Sequence, residues 1–348
     1  MKLAGRQTRS IMRTEDGTGV RILDQRRLPW AIEWVELRSA DAAAMAIREM
    51  WTRGAPLLAM TGAYGLAMAM AEDASDASLA GNYAKLLATR PTAVNLRWAL
   101  DAVREVVLPL PLDHRAAAAF ARADAICDED VELCCAIGRH GLVVLEALHA
   151  KHPARPLNIL THCNAGWLAT ADYGTATAPI YLAHDAGIPV HVWVDETRPR
   201  NQGALLTAFE LAEHGVPHSV IVDNAGGHLM MRGQVDAVIV GTDRVTANGD
   251  VCNKIGTYLK ALAAHDNDVP FYVALPYTTF DPLTATGSDI VIEERDDFEV
   301  THVSGEKGVM RVTQSAGYNP AFDVTPARLV TAYITERGIL SSAALSVA

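Results

Sequence analysis

Several features that define common protein classes are missing from this chain of 348 residues. Its five cysteines include no C-x-x-C pair, and half of the residues are hydrophobic, so the core needs no disulfide framework. The N-terminal stretch MKLAGRQTRSIMRTEDG lacks the apolar run of a secretory signal. We therefore expect free thiols in a cytoplasmic protein.

The fingerprints of the common cofactors are also missing. No strand is followed by G-x-G-x-x-G, and neither the P-loop pattern nor the G-x-S-x-G elbow occurs. The 12 histidines are scattered, without H-E-x-x-H or paired His/Cys spacing. We therefore expect chemistry that side chains perform on a small molecule, with no cofactor and no metal.

Positive charge is scarce: 30 lysines and arginines stand against 41 acidic residues, for a net charge of −11. This balance argues against a surface that binds nucleic acid but leaves room for a small anion in a local basic pocket. Charge is wholly absent from Gly54–Ala71, which just reaches the length of a membrane span. Because this run is built from Ala, Gly and Met and begins beside Pro56, we expect a buried helix and no membrane segment.

The two halves of the chain have different patterns. Residues 18–38 contain two β-prone runs, which predict a small antiparallel sheet. Ala-rich helical segments follow at about 40–51, 55–72, 76–88, 92–106 and 113–149, the last of them either one helix or two. Because the chain is long enough for two domains, we predict an N-terminal α+β domain over 1–130 and a C-terminal domain over 131–348.

The second half alternates short apolar runs with helical segments. The runs lie at 158–163, 188–196, 216–223, 235–243, 269–276 and 288–294. Helices are predicted between them at 166–186, 201–214, 226–232 and 253–265. This alternation indicates an α/β fold with a Rossmann-like parallel sheet, whose ligand lies outside the carboxyl ends of the strands.

Two residues at predicted strand ends suit acid–base chemistry. Cys163, in THCNAG, follows the first run and precedes a predicted helix, where backbone N–H groups and the helix dipole favour a thiolate. Asp243, in GTDR, follows the fourth run against an apolar wall, where desolvation would let it act as a general acid. The structural alternatives are a buried apolar cysteine, and an aspartate that caps a helix or pairs with Arg244.

Other polar residues near predicted strand and helix ends suit an anionic ligand. Asn253 and Lys254 are predicted to open a helix, and Gln202 follows the second run. Arg53 and Arg90 lie at predicted helix starts in the first half. Asn253 and Lys254 are equally typical of simple capping, and an arginine such as Arg53 or Arg90 at a helix boundary is usually a surface side chain. Arg198 and Arg200 are more typical of bracing, whereas Gln202 is more typical of a ligand contact.

Taken together, the motifs RGAP, RPTAVN, THCNAG, ETRPRNQG, DNAGGH, GTDR, ANGDVCNKIGTY and PFYVALPYTTFD occur in the order of one family. The chain resembles the methylthioribose-1-phosphate isomerases over about residues 10–340. The resemblance implies a three-stranded antiparallel sheet in a small N-terminal domain, a Rossmann-like C-terminal domain and a homodimer without cofactor. It also implies an aldose–ketose isomerase of methionine salvage.

The resemblance assigns roles motif by motif. It places the catalytic pair at Cys163 and Asp243. It implies a set of residues that bind the sugar phosphate: Arg53, Gly54, Ala55, Arg90, Gln202, Asn253 and Lys254.

The chain departs from the family pattern at a few positions. Trp167, Asp172, Thr242 and Cys252 replace the residues usual in the family, which bears on the substituent at C5 of the sugar. The alternatives are therefore an isomerase of 5-deoxyribose 1-phosphate or ribose 1,5-bisphosphate, and a non-catalytic binding subunit like those of initiation factor 2B.

Overall fold

The computed structural model describes residues 1–90 and 93–345. Two residues of the RPTAVN motif, Pro91 and Thr92, therefore lie outside the described residues. The chain forms two compact units. Within the described residues, the first contains Met1, 7–90, 93–134 and 167–174, and the second contains 2–6, 135–166 and 175–345.

The elements up to residue 149 agree closely with the sequence pattern. They are β1 (Lys2–Leu3), β2 (Arg6–Gln7), β3 (Ile11–Arg13), β4 (Val20–Leu23), β5 (Trp34–Leu37), α1 (Ala40–Arg48), α2 (Ala55–Glu72), α3 (Asp76–Leu87), α4 (Val94–Val107) and α5 (Leu112–His149). Strands β3, β4 and β5 form the expected three-stranded antiparallel sheet. The open question about the last segment is settled, because α5 is one helix of 38 residues.

Helix α2 contains most of the uncharged run Gly54–Ala71, which is just long enough for a membrane span. Gly54 caps its start with φ at +92°, and Pro56 follows in the first turn, where a missing N–H does no harm. Every residue from Leu57 to Met70 is buried inside the first unit. The expectation of a buried helix is confirmed, and none of the helices in the described ranges is long and apolar enough to cross a bilayer.

The second part of the chain contains the remaining elements. They are β6 (Leu157–Thr161), α6 (Ala178–Asp185), β7 (Val190–Asp195), α7 (Ala208–His214), β8 (His218–Ile221), α8 (Ala225–Met231), β9 (Ala237–Val240), β10 (Arg244–Thr246), β11 (Val251–Lys254), α9 (Thr257–Asp266), β12 (Phe271–Ala274), β13 (Phe280–Asp281), α10 (Phe298–Thr301), β14 (His302–Gly305), β15 (Gly308–Arg311), β16 (Phe322–Thr325), β17 (Ala332–Thr335), β18 (Gly338–Leu340) and α11 (Ser342–Leu345).

Seven of these strands form one sheet in the order β18-β17-β12-β9-β6-β7-β8. All neighbours are parallel except β17 and β18. Five of the six predicted strands are present, as β6, β7, β8, β9 and β12. Strand β9, in the centre, is buried along its whole length, as expected for a parallel strand covered on both faces.

The sixth predicted strand, over 288–294, is wrong. Residues 287–289 form a short 3₁₀ turn, capped by Thr286 and Asp289, and Val291 is 81% exposed. Ile290 and Ile292 are only half-buried, so the segment does not form a buried strand. Strand β17 takes the corresponding place in the sheet, and Tyr333 and Ile334 are fully buried there.

Two further predictions about helices need correction. The helix expected over 166–186 is present only as α6, because 167–169 form a short 3₁₀ turn and 170–177 form a buried loop. The helix expected from Asn253 begins at Thr257, because Gly256 turns the backbone with φ at +101°. Asn253 and Lys254 lie on β11, in a second sheet of order β13-β10-β11-β16.

A buried acid in α5 gives the first unit a specific pH dependence. Burial raises the pKa of Asp130 to about 7, although the backbone N–H of Ala171 donates a hydrogen bond of 2.7 Å to it. The folded state therefore holds this proton more tightly than the unfolded state does. The resulting stability is complete below about pH 4 and is lost as the pH rises to about 7.

We expect Asp130→Asn to abolish this loss, because an amide cannot ionise and still accepts the bond from Ala171. The free energy of unfolding of the variant, minus that of the parent, should grow by about 1.4 kcal/mol per pH unit between pH 4 and pH 7. Urea unfolding at several pH values measures it. Asp128→Asn, at an exposed position of the same helix, is the control. A difference that does not vary with pH would contradict the assignment.

Candidate active site

Cys163 lies two residues beyond the end of β6, in a loop held firmly on both sides. Its backbone N–H donates to the hydroxyl of Thr197 at 2.8 Å, and its carbonyl accepts from the hydroxyl of Thr207 at 2.7 Å. Its φ is +66°, a left-handed conformation that is uncommon outside glycine and is kept only where surrounding contacts impose it. The half-buried thiol therefore occupies a fixed place. The predicted helix dipole is absent there, because no long helix follows directly.

A buried carboxylate explains the Asn and Gly of the THCNAG motif. Asn164 donates to Oε1 of Glu210 at 3.0 Å, and the hydroxyl of Tyr181 donates to Oε2 at 3.1 Å. A Cβ on Gly166 would overlap this carboxylate, so only glycine fits. The sequence analysis missed Glu210, because one acidic residue in a short helix looks like a surface side chain.

Asp243 follows β9 by three residues. Its backbone N–H donates to the carbonyl of Cys252 at 3.0 Å, and its side chain is half-buried. Neither structural alternative holds: a strand follows rather than a helix, and Arg244 forms an ion pair of 3.3 Å with Asp281. Within 1–90 and 93–345, no hydrogen bond or ion pair reaches the carboxylate of Asp243.

The structure brings the loops of Cys163 and Asp243 together. Strands β6 and β9 are parallel neighbours, with Leu160 opposite Val238, so the register places Cys163 level with Gly241. A Cβ on Gly241 would overlap the Cβ of Ala165, which shows that the two loops touch. Cys163 and Asp243 therefore lie at the same edge of the sheet.

This contact predicts the effect of one added methyl group. We expect Gly241→Ala to lower kcat by at least about 10-fold, because the loops must move apart and even a 1 Å displacement of reacting groups is costly. Gly81→Ala is the matched control, since a Cβ there meets open space on an exposed helix. Steady-state kinetics on both variants measures the effect, and near-parental kcat in folded Gly241→Ala would contradict it.

The loop after β7 contains Gln202 and the two arginines. Arg198 donates to the carbonyls of Glu299 and Val300, and Arg200 forms an ion pair of 2.8 Å with Glu299. Although burial opposes it, the Arg200 guanidinium holds the pKa of Glu299 below its usual range. The bracing role expected for these arginines is confirmed.

Gln202 differs from the arginines beside it. It is only 7% exposed, and no donor in the described part of the chain reaches its buried Oε1. A buried amide oxygen without a hydrogen-bond partner is uncommon in proteins. This oxygen is therefore suited to accept a hydrogen bond from a bound ligand.

Asn253 and Lys254 are buried on β11, so the predicted helix start at these residues is wrong, while their roles in binding stay predictions. Asn253 donates to the hydroxyl of Thr257 at 3.0 Å. The ammonium of Lys254 donates to the carbonyl of Ala321 at 3.0 Å and lies 4.3 Å from the ring centroid of Phe322. A buried cation still lies in this part of the second unit, provided by a strand rather than by a helix.

The remaining predicted site residues belong to the first unit. Arg53 is buried, and Gly54 approaches Ala169 so closely that a Cβ would overlap it. Ala55 is the first residue of α2, and Arg90 is half-buried at the end of the first described range. Their roles in binding stay predictions.

One group of side chains in the second unit has the donor types of a metal site: His162, Asp195 and Asp223. The ammonium of Lys260 lies 3.0 Å from Asp195 and donates to the carbonyl of Asp223. The ammonium of Lys260 thus occupies the place that a metal cation would take beside these carboxylates. We assign no metal to this group.

Comparison with known proteins defines the class of the chain. The model of the initiation factor 2 subunit family matches residues 51–342, and the chain belongs to this family.

Similar curated relatives are methylthioribose-1-phosphate isomerases, so the resemblance carried by the motifs is confirmed. The one from Methylocella silvestris is 58% identical and covers 100% of this chain and 98% of its own length. The one from Methylorubrum extorquens is 60% identical, over 97% of this chain and 95% of the relative.

Two solved structures match over nearly the whole chain. The 5-methylthioribose 1-phosphate isomerase of Pyrococcus horikoshii has a TM-score of 0.83 and 38% identity, and the match covers 96% of this chain and 92% of that one. The delta subunit of translation initiation factor eIF-2B from A. fulgidus has a TM-score of 0.80 and 38% identity, with 96% of both chains covered.

Proposed function

We propose that this chain converts 5-methylthioribose 1-phosphate into 5-methylthioribulose 1-phosphate, the aldose–ketose isomerisation of methionine salvage. The relatives at about 60% identity act on this substrate by name. The observation that carries the proposal is the contact between the loops of Cys163 and Asp243, at the ends of neighbouring parallel strands.

Asp243 is the proposed acid. The anomeric oxygen of the substrate carries the phosphate, so the ring cannot open as a free hemiacetal does. The ring oxygen must therefore be protonated as the ring opens. Asp243 is half-buried, and no hydrogen bond within 1–90 and 93–345 engages its carboxyl group, so this group is open to the ring oxygen.

Cys163 is the proposed partner for the second half of the reaction, in which the hydrogen at C2 reaches C1. The thiol either carries it as a proton through an enolate or stabilises the transition state of a hydride shift. Both routes need a side chain fixed beside C1 and C2, and the two threonine hydrogen bonds around Cys163 provide that fixation.

Lys254, Asn253 and Gln202 are proposed to bind the phosphate and the sugar hydroxyls. The buried ammonium of Lys254 interacts more strongly with an anion than an exposed one would. Oε1 of Gln202, which no donor within 1–90 and 93–345 reaches, is suited to accept from a hydroxyl. The predicted roles of Arg53 and Arg90 in binding are tested by measuring KM in Arg53→Lys and Arg90→Lys, and those of Gly54 and Ala55 stay predictions.

We also propose a cytoplasmic homodimer that needs no cofactor and binds no nucleic acid. The net charge of −11 supports the last point. We keep the division into domains 1–130 and 131–348 as part of this proposal. Light scattering, and activity after treatment with a chelator, test the dimer and the absence of a metal requirement.

Phosphorus NMR after incubation with 5-methylthioribose 1-phosphate tests the function. A resonance of a ketose 1-phosphate is expected in place of the substrate resonance. The same assay with 5-deoxyribose 1-phosphate and ribose 1,5-bisphosphate ranks the alternative substrates. No product from any of the three would overturn the proposal.

The likeness to an eIF-2B subunit supports a second candidate, a binding protein without turnover. A scaffold has no need of a thiol and an acid on touching loops, which favours the enzyme. Product formation in the same assay excludes this second candidate.

A further inference from the structure

His162 precedes the candidate catalytic cysteine, and both nitrogens of its buried ring are hydrogen-bonded. Nδ1 lies 2.8 Å from Oδ2 of Asp195, and Nε2 lies 2.8 Å from the carbonyl oxygen of Ile255. A carbonyl oxygen can only accept, so Nε2 carries a hydrogen. Oδ2 of Asp195 also forms an ion pair of 3.0 Å with the ammonium of Lys260, and a carboxylate oxygen accepts from Nδ1.

The charges around the ring of His162 also favour a proton on both of its nitrogens. Among residues 1–90 and 93–345, three carboxylates face this cluster from the elements packed around it, those of Asp195, Asp223 and Asp323, and the other cation there is Lys260. Burial raises the pKa of Asp323, while the charges of His162 and Lys260 act to lower it. A proton on both nitrogens of His162 brings the buried cluster closer to neutrality, which matters because unpaired buried charge is costly.

We propose that His162 is a positioning residue, held as a doubly protonated imidazolium, that fixes the Cys163 loop relative to Lys254. Its bond to Ile255 reaches the residue directly after Lys254. Its bond to Asp195 reaches the end of β7, before the Gln202 loop. One ring therefore joins the Cys163 loop, the end of β11 and the end of β7, three segments next to residues proposed to hold the substrate.

The backbone around the ring is shaped to fit it. A Cβ on Gly256 would lie 3.0 Å from Cε1 of His162, tighter than ordinary packing, and φ at this glycine is +101°. A close approach of backbone to the imidazole is thus part of how the chain turns from β11 into α9.

Nitrogen NMR of the unmodified protein tests the charge. With ¹⁵N-histidine and assignment through the backbone of Cys163, His162 is expected to show two N–H groups at pH 7.5. His191 is the internal control: it is half-buried on β7, and burial lowers its pKa, so it should be neutral. A single N–H on His162 at pH 7.5 would overturn the proposal.

Kinetics tests positioning, and this arm rests on the proposed function. His162→Gln keeps a polar side chain without the cation, and we expect kcat to fall by about 100-fold while KM changes by less than about threefold. Asp195→Asn, which keeps an oxygen toward Nδ1 but removes the charge, should lose about 10-fold.

His191→Gln is the control and should retain the parental kcat. Parental kcat in both His162→Gln and Asp195→Asn would overturn the positioning role. Absence of turnover in the parent would instead overturn the proposed function and leave the NMR result to decide on His162.

Discussion

Replacing Cys163 with alanine is expected to lower kcat by about 10²–10⁴-fold, the usual contribution of a group that moves a proton in the transition state. The thiol lies at a strand end on a backbone with φ of +66°, clamped by Thr197 and Thr207. Because the clamping atoms are on the backbone of residue 163, the loop should keep its shape in the variant. Substrate binding, measured by calorimetry, should remain close to that of the parent.

Cys135→Ala is the matched control for this change. Cys135 is also half-buried but lies in α5, where its sulfur contacts Arg139. It should retain the parental kcat. Near-parental turnover in folded Cys163→Ala would remove the thiol from the chemistry.

An isotope experiment distinguishes the two roles open to the thiol. With deuterium at C2 of the substrate, loss of label into water supports a proton carried through an enolate. Full retention of label at C1 supports a hydride shift or a proton shielded from solvent.

Replacing Asp243 with asparagine is expected to cause a loss of similar size, about 10²–10⁴-fold in kcat. The amide keeps the shape of the side chain, and the hydrogen bond from the backbone of residue 243 to Cys252 is unaffected. The amide lacks the acidic proton that ring opening requires. Substrate should therefore bind, and the closed ring should accumulate on the protein.

Asp113→Asn, at an exposed position near the start of α5, is the control for this change and should be fully active. Carbon NMR of the bound sugar shows whether the ring is closed. Near-parental kcat in folded Asp243→Asn would assign ring opening to a different acid.

The sequence predicted the parts of the fold that depend on local periodicity. Helices such as α2 and strands such as β9 follow directly from their apolar patterns. The candidate catalytic residues followed from the rule that ligands lie at the carboxyl ends of parallel strands. Pattern alone could indicate that Cys163 and Asp243 lie at the same sheet edge, but not that Gly241 touches Ala165.

Features that depend on distant parts of the chain were not predicted. Lys254 was predicted to lie at a helix start. It lies on a strand instead, because this strand pairs with β16, some 70 residues away in sequence, and local pattern does not reveal such a distant partner. Ile290–Ile292 has the pattern of a strand, but its two isoleucines are only half-buried and Val291 is exposed. Glu210 gave no local sign that it holds the THCNAG loop from inside the second unit.

A crystal structure of Asp243→Asn with 5-methylthioribose 1-phosphate is the most direct test of the thiol and the acid acting on one sugar. We expect C1 and C2 within about 4 Å of the sulfur of Cys163, and the ring oxygen within about 3 Å of the side chain at position 243. A sugar bound away from either side chain would contradict the assignment of Cys163 and Asp243 as the catalytic pair.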